Sequence, residues 1–199
     1  MLDLNIPTDL AIMSDIKLFL QQLNELMAGS ERDFVKDLKD WNRSYQQAVH
    51  EKFEQVKDEL TEASNFVNAA RIIEELNKQT DENAVFVIDA GTQNAYMASH
   101  FKIKKAGRKT VFDRGHGNLG YALSASIGAK FASPHSKVFS MFGDGSFAMS
   151  AGELETASRL QLPIVFIHFQ NNSYGWIKKL HQLYYDERYI GVDFSRIDG

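Results

Sequence analysis

The sequence predicts an α/β fold, a doubly wound parallel sheet preceded by a mainly helical N-terminal segment. Three observations carry it. Residues 137–176, KVFSMFGDGSFAMSAGELETASRLQLPIVFIHFQNNSYGW, read as strand, glycine turn, helix, strand and polar turn, a βαβ unit whose strands run parallel. A further apolar run at 84–89, AVFVID, enters a glycine turn of the same kind. Ahead of both, residues 30–60 repeat apolar side chains at helical spacing among lysines and acids.

Taken in order, the chain opens with a short β-like piece, Leu10 to Met13. Ser14-Asp15 then caps a helix whose face is Ile16, Leu20, Leu23 and Met27, closed by Gly29. So short a strand and helix cannot bury both faces alone, so this stretch is expected to pack on something the chain does not encode. Leu38, Trp41, Tyr45, Val49, Phe53, Val56 and Leu60 mark an amphipathic connector helix. Asn68 caps Ala69 to Lys78, with Ile72, Ile73 and Leu76 inward. The strand Ala84 to Asp89 then runs into Ala90-Gly91-Thr92-Gln93-Asn94, where backbone amides at a helix start suit a phosphate and equally suit a plain turn.

Gly115-His116-Gly117-Asn118-Leu119-Gly120 fits the dinucleotide pattern G-x-G-x-x-G, with Asp144 as its distant acid. Only Val111 and Phe112 precede it as apolar residues, too few for the buried strand that motif requires. Val138 to Phe142 form the next strand, and Ser146 and Ser150 offer N-caps for a helix through Leu160, with Leu154, Ala157 and Leu160 on one face. Ile164 to Phe169 make the last strand, ending at Asn171-Asn172; Trp176 to Tyr185 is a short helix, and Tyr189 to Gly199 leads out as extended chain.

The two polar strand ends carry the chemistry. Open α/β sheets bind ligands beyond the carboxyl ends of their strands, so Asp144 and an amide from Asn171-Asn172 can share an ion there. Both offer hard oxygens, which suit magnesium or calcium and not zinc. Gly143, Gly145 and Gly175 let backbone N–H groups approach phosphate oxygens beside it. Taken singly, Gly-Asp-Gly and Asn-Asn are ordinary turn chemistry. Their pairing across one βαβ unit sets them apart.

Composition narrows the classes. The 199 residues are 44% hydrophobic and 24% charged, ordinary for a globular protein, and carry a net charge of −4. No basic field is available for nucleic acid or an anionic membrane. No apolar run approaches the roughly 18 residues of a spanning helix, and the N-terminus lacks a basic region followed by an apolar core. The absence of cysteine excludes disulfides and thiolate metal sites and fits a cytoplasmic location. The histidines at 50, 100, 135, 168 and 181 show no metal-ligand spacing and are read as structural.

Gly143-Asp144-Gly145, twenty-five intervening residues and Asn171-Asn172 resemble the signature of thiamine-diphosphate enzymes, in the branch of acetolactate synthases and pyruvate decarboxylases. The intervening ELETASRLQLPIVFIHFQ is similar to that family too. The resemblance implies that Asp144, Asn172 and the backbone carbonyl of Tyr174 hold Mg²⁺, while Gly145, Ser146 and Gly175, with Gly91, Thr92 and Gln93, face the diphosphate. GNLGYALSASIGAKFA looks like the segment along the aminopyrimidine, Gly117 offering its carbonyl to the ring amine and Leu119 wedged under the cofactor. Ser124 stands where the family commonly has proline. His116 either faces substrate or bonds a neighbour.

By the same resemblance, residues 1–29 are the end of a middle domain, 30–67 a helical linker (with WNRSY at 41–45 similar to the family's interdomain connection) and 68–199 a thiamine-diphosphate-binding domain cut short at its C-terminus. The family's catalytic glutamate lies on a pyrimidine-binding domain that nothing here matches. A homo- or hetero-oligomeric partner is expected to supply that domain. The expected function is the cofactor-binding part of a 2-oxo-acid decarboxylase or carboligase, acetolactate synthase foremost. A catalytically silent remnant or non-catalytic subunit shares every motif, and a dinucleotide-binding oxidoreductase is the third alternative.

Overall fold

The computed structural model describes residues 7–28, 34–55, 67–107 and 109–194. The chain divides into two compact units, Met1–Val56 and Lys57–Gly199.

In the first unit, helix α1 spans Ile16–Ala28 and α2 spans Phe34–Gln55. Asp15 caps α1: its Oδ1 accepts from the N–H groups of Lys17 at 3.0 Å and Leu18 at 3.1 Å, two donors the helix itself leaves unpaired. Leu10 to Met13 is not a strand. A strand needs a ladder partner, and the described part of this unit has none to offer. Ile16, Leu20 and Met27 are exposed and Leu23 is half-buried. On α2, Trp41 and Tyr45 stack one turn apart at 5.6 Å, both exposed, as is Leu38. The expected cap Gly29 and the apolar positions Val56 and Leu60 lie outside the described residues, as does the Phe53 side chain.

The second unit is a four-stranded, all-parallel sheet of order β2-β1-β3-β4, with β1 at Val85–Ile88, β2 at Thr110–Phe112, β3 at Val138–Gly143 and β4 at Ile164–Phe169. Helices lie on both faces. On one, α3 (Ala69–Gln79) and α4 (Thr92–His100) bring Ile73 and Met97 against Phe86, Ile88, Phe139 and Met141. On the other, α5 (Tyr121–Ala132) packs Ala122 over Val85, Val87 and Val138. Alternate residues of β1 therefore serve opposite cores, which is why that strand reads as an unbroken apolar run. Phe86 stacks on Phe139 at 4.9 Å and meets Phe101 at 4.6 Å, and burying such a ring contributes about 1.5–3 kcal/mol. β2, three half-buried residues at the sheet edge, is as short as the two apolar residues before the glycines suggested.

Two features depart from expectation. The helix expected through Leu160 is broken into α6 (Asp144–Ser150) and α7 (Glu153–Arg159), with a turn at Ala151-Gly152. Neither serine caps: Gly143 and Gly152 hold the cap positions, and Ser150 Oγ donates back to the Ser146 carbonyl at 3.1 Å, satisfied within its own helix. The break turns Leu160 outward, leaving it 41% exposed while Ala157 is buried. Second, the chain after α8 (Gly175–Tyr184) folds back instead of leading away. Tyr174 N–H donates to Val192 O at 2.7 Å, Phe194 N–H to Asn172 O at 2.9 Å, and Val192 is buried. These bonds clamp the Asn171–Gly175 turn. Residues 195–199 lie outside the described residues.

Candidate functional site

From β1 the chain passes to β2 on one side, then returns to β3 on the other, so the strand order reverses between β1 and β3. Beyond the carboxyl ends of strands at such a reversal the two following turns splay apart and leave a crevice. A cavity of about 280 Å³ occupies that place. Its walls are the turn after β1 (Gly91, Thr92, Gln93), the turn after β3 (Asp144, Gly145, Ser146), the turn after β4 (Asn171, Tyr174, Gly175), and Gly117 and Leu119 from the approach to α5.

Each turn is held by bonds that follow from its residues. Gly91 has φ +145°, and a Cβ there would meet Gln93 Oε1 at 2.6 Å, so only glycine allows the turn. The buried Gln93 amide donates to the carbonyls of Asp89 and Ala90, both at 3.2 Å. Asp144, its side chain 11% exposed, accepts from the Asn171 N–H through Oδ2 at 2.9 Å, and its Oδ1 lies 3.1 Å from His168 Nε2. The carboxylate thus ties the end of β3 to the end of β4 while facing the cavity.

The walls are bare backbone at two points. A Cβ on Gly175 would lie 2.6 Å from Asn171 Nδ2 and 3.5 Å from Thr92 Cγ2; one on Gly145 would lie 2.5 Å from the Tyr174 ring and 3.6 Å from Leu119. Asn172 stands apart. It is exposed, with φ +54°, lies outside the cavity wall, and its Oδ1 accepts from Gln170 Nε2 at 3.4 Å. Asn171 occupies the wall. His116 is exposed and lines an adjoining cavity.

Three roles escaped the sequence reading. His168 is more than structural filler: it brings an imidazole to Asp144 and is flanked by the rings of Phe142 and Phe147 at 5.5 and 5.1 Å. The Asn171 backbone holds the same carboxylate. Asp89 ends β1 fully buried, Oδ1 accepting from Ala90 N–H at 2.9 Å and Oδ2 from Ala122 N–H at 2.8 Å. Gly120, at the cap position of α5 with φ +86°, has no side chain to offer, so Asp89 caps that helix from another strand. Burial pushes the Asp89 carboxyl above its ordinary value; the Ala122 N–H, the Ser146 hydroxyl and the N–H groups of Ala90 and Gly120 oppose that rise. An acid closing an apolar run was the cue that singled out Asp144, and it would have found Asp89 too.

The family described as thiamine pyrophosphate enzyme, C-terminal TPP binding domain, matches residues 89–198. An acetolactate synthase large subunit from Cyanidium caldarium is 29% identical over 187 residues, covering 94% of this chain and 31% of that protein. A probable acetolactate synthase large subunit from Methanocaldococcus jannaschii is 30% identical over 187 residues, covering 92% and 31%. A sulfoacetaldehyde acetyltransferase from Castellaniella defragrans is 29% identical over 171 residues, covering 83% and 27%. The chain thus spans about a third of the length of the curated relatives it matches. In fold it is similar to the thiamine diphosphate-dependent 4-hydroxybenzoylformate decarboxylase of Rhodococcus jostii RHA1, with a TM-score of 0.62, 23% identity, and coverage of 69% of this chain and 26% of that one. The match begins at Asp89 and takes in every turn that walls the cavity, and the chain belongs to the thiamine pyrophosphate enzymes, of whose C-terminal TPP-binding domain residues 89–198 form part.

Proposed function

We propose that the second unit is the Mg²⁺- and thiamine-diphosphate-holding part of a 2-oxo-acid decarboxylase/carboligase of the acetolactate synthase kind. That reaction joins two pyruvates, takes up one proton and releases CO₂ to give 2-acetolactate. The observation that carries the reading is the cavity at the strand-order reversal, where Asp144 sits between bare backbone at Gly145 and Gly175.

The residues present fit the cofactor. A diphosphate needs close N–H donors and a hard cation, and the walls offer glycine backbone on two sides of a carboxylate. Among the described residues no group of three or more His, Cys, Asp or Glu could hold a metal, so an ion here would rest on one carboxylate with amide and carbonyl oxygens. Asp144 and the Tyr174 carbonyl would supply two ligands, and Asn172 a third on leaving Gln170. Gly91, Thr92, Gln93, Gly145, Ser146 and Gly175 would face the diphosphate. Gly117 would accept from the ring amine, and Leu119, beside Gly145, would hold the ring geometry.

When bound, the cofactor supplies the carbon nucleophile and the electron sink for departing CO₂. This chain's residues bind, orient and exclude water. The family's activating glutamate would come from a pyrimidine-binding domain on a homo- or hetero-oligomeric partner. Calorimetric titration of the chain with thiamine diphosphate and Mg²⁺, alone and with such a partner, tests the proposal. Expected are weak or no binding alone and tight binding with the partner; pyruvate turnover by the isolated chain would refute the need for a partner.

A further inference from the structure

A second cavity, of about 330 Å³, shares Ala90, Gly91, Gly117 and Trp176 with the first and is otherwise walled by α4 and the loop after β2. Three of its polar side chains, Asn94, Arg114 and His116, carry N–H groups without a partner among the described residues. Asn94, 4% exposed at its floor, has an Nδ2 that is buried and unpartnered. A buried donor left unpaired costs about 1–3 kcal/mol; closed off from the cavity as it stands, the amide would gain by turning toward an acceptor there. Arg114 and His116, also in the wall, are exposed and make no hydrogen bond or ion pair among the described residues. Asp113 is the one acid lining the cavity, and its Oδ2 accepts from the Asn118 N–H at 2.8 Å, a bond that closes the loop presenting Arg114 and His116.

We infer that this cavity is a subsite for a small carboxylate, gripped by the Arg114 guanidinium with His116 and Asn94, whose other end reaches the cofactor cavity past Gly117 and Trp176. The planar guanidinium matches a carboxylate with two parallel bonds. The inference deepens the proposed function, on which it rests for the identity of the neighbouring cavity. The chemistry narrows the ligand further. A carboxylate destined to leave as CO₂ is best left ungripped, because a cation upon it stabilises the charge that must be lost. The subsite therefore suits a short-chain acid that keeps its carboxylate through the reaction.

Trp176 lies in the wall and gives a readout without turnover. The chain has two tryptophans, so Trp41→Phe leaves Trp176 as the reporter. The full chain carrying that substitution is titrated at constant ionic strength with lactate, with its uncharged isostere lactamide, and with inorganic phosphate. Lactate should change the emission saturably and lactamide should not. Arg114→Gln should weaken lactate about tenfold or more, the worth of a charge-assisted bond of about 1.5–3 kcal/mol, and His116→Gln should weaken it less. Both residues are exposed, and circular dichroism confirms that the variants fold. Equal responses to lactate and lactamide, an Arg114→Gln chain that binds lactate like its parent, or phosphate binding ten times tighter than lactate would overturn the carboxylate subsite. Asp144→Ala separates the two readings. Lactate binding should survive it, so a parent chain that binds lactate but, once completed by its partner, never binds thiamine diphosphate keeps the subsite and loses the cofactor assignment, and the reverse result does the opposite.

Discussion

Asp89 and Asp144 lie at the ends of neighbouring parallel strands, Ile88 beside Met141, the first leading through a glycine turn into α4 and the second opening α6. Their environments nonetheless diverge. Asp89 is fully buried and bonds the backbone N–H groups of Ala90 and Ala122; Asp144 faces a cavity and is bonded from one side only, by His168 of β4 and the Asn171 N–H just after it. The difference lies in what packs above each strand end. Over Asp89 stands the N-terminus of α5, whose cap Gly120 brings no side chain and so draws the carboxylate in. Over Asp144 stands open space. An acid at a strand end is thus a site only where no helix start closes upon it.

The sharpest way to break the contrast is to delete each acid. Asp144→Ala should lower Mg²⁺-dependent thiamine diphosphate binding by at least about a hundredfold, since losing even an outer partner of a metal ligand costs 10–100-fold. Its circular dichroism should be unchanged. Titration calorimetry of the partner-completed protein reads this, and retained affinity would dismiss the metal assignment. Gly145→Ala comes next. The added carbon would lie 2.5 Å from the Tyr174 ring, itself part of the cavity wall, so that wall must shift, at a cost of about 1–3 kcal/mol in thermal or urea unfolding and about tenfold in cofactor affinity. Asp89→Asn should show the opposite profile. One backbone N–H loses its acceptor, costing about 1–3 kcal/mol of stability in urea, while cofactor affinity moves only a few-fold because the substituted amide would touch no ligand. An affinity loss as large as that of Asp144→Ala would erase the distinction.

Much of this was legible in the sequence. Strand ends announce themselves because an apolar run buried on two faces must stop where a glycine or acid begins, and both β1 and β3 obey that rule. The glycine-rich turns that wall the cavity follow from those ends. Three things were not legible, each for a physical reason. The break at Ala151-Gly152 was hidden because Ser150, which resembles a cap, instead bonds within its own helix. The burial of Asp89 depends on Gly120, thirty-one residues away, which leaves a helix cap vacant. The return of residues 192–194 onto the Asn171–Gly175 turn is made of backbone bonds, the Tyr174–Phe194 ring contact and the Lys178–Asp193 pair, none of which repeats at a helix or strand period that a pattern could show. Asn172 belongs with these. Next to Asn171 it carries the same cue, yet φ +54° turns it outside the wall.

The smallest predicted effect tests the contrast through protons. Because burial raises the Asp89 carboxyl above its ordinary value near 4, the native state in the window between that value and the raised one binds more protons than the unfolded chain. Stability must then fall as pH rises through the window, the contribution being fully present below the unfolded value and lost above the native one. Asp89→Asn cannot titrate there. Urea unfolding of parent and variant from pH 4 to 7 should show their difference shrinking as pH rises, with the parent giving up part of its advantage, and then levelling off. A parent that gains on the variant with rising pH would mean that the bonds from Ala122 and Ala90 outweigh burial, and that the closed strand end tolerates charge as readily as the open one.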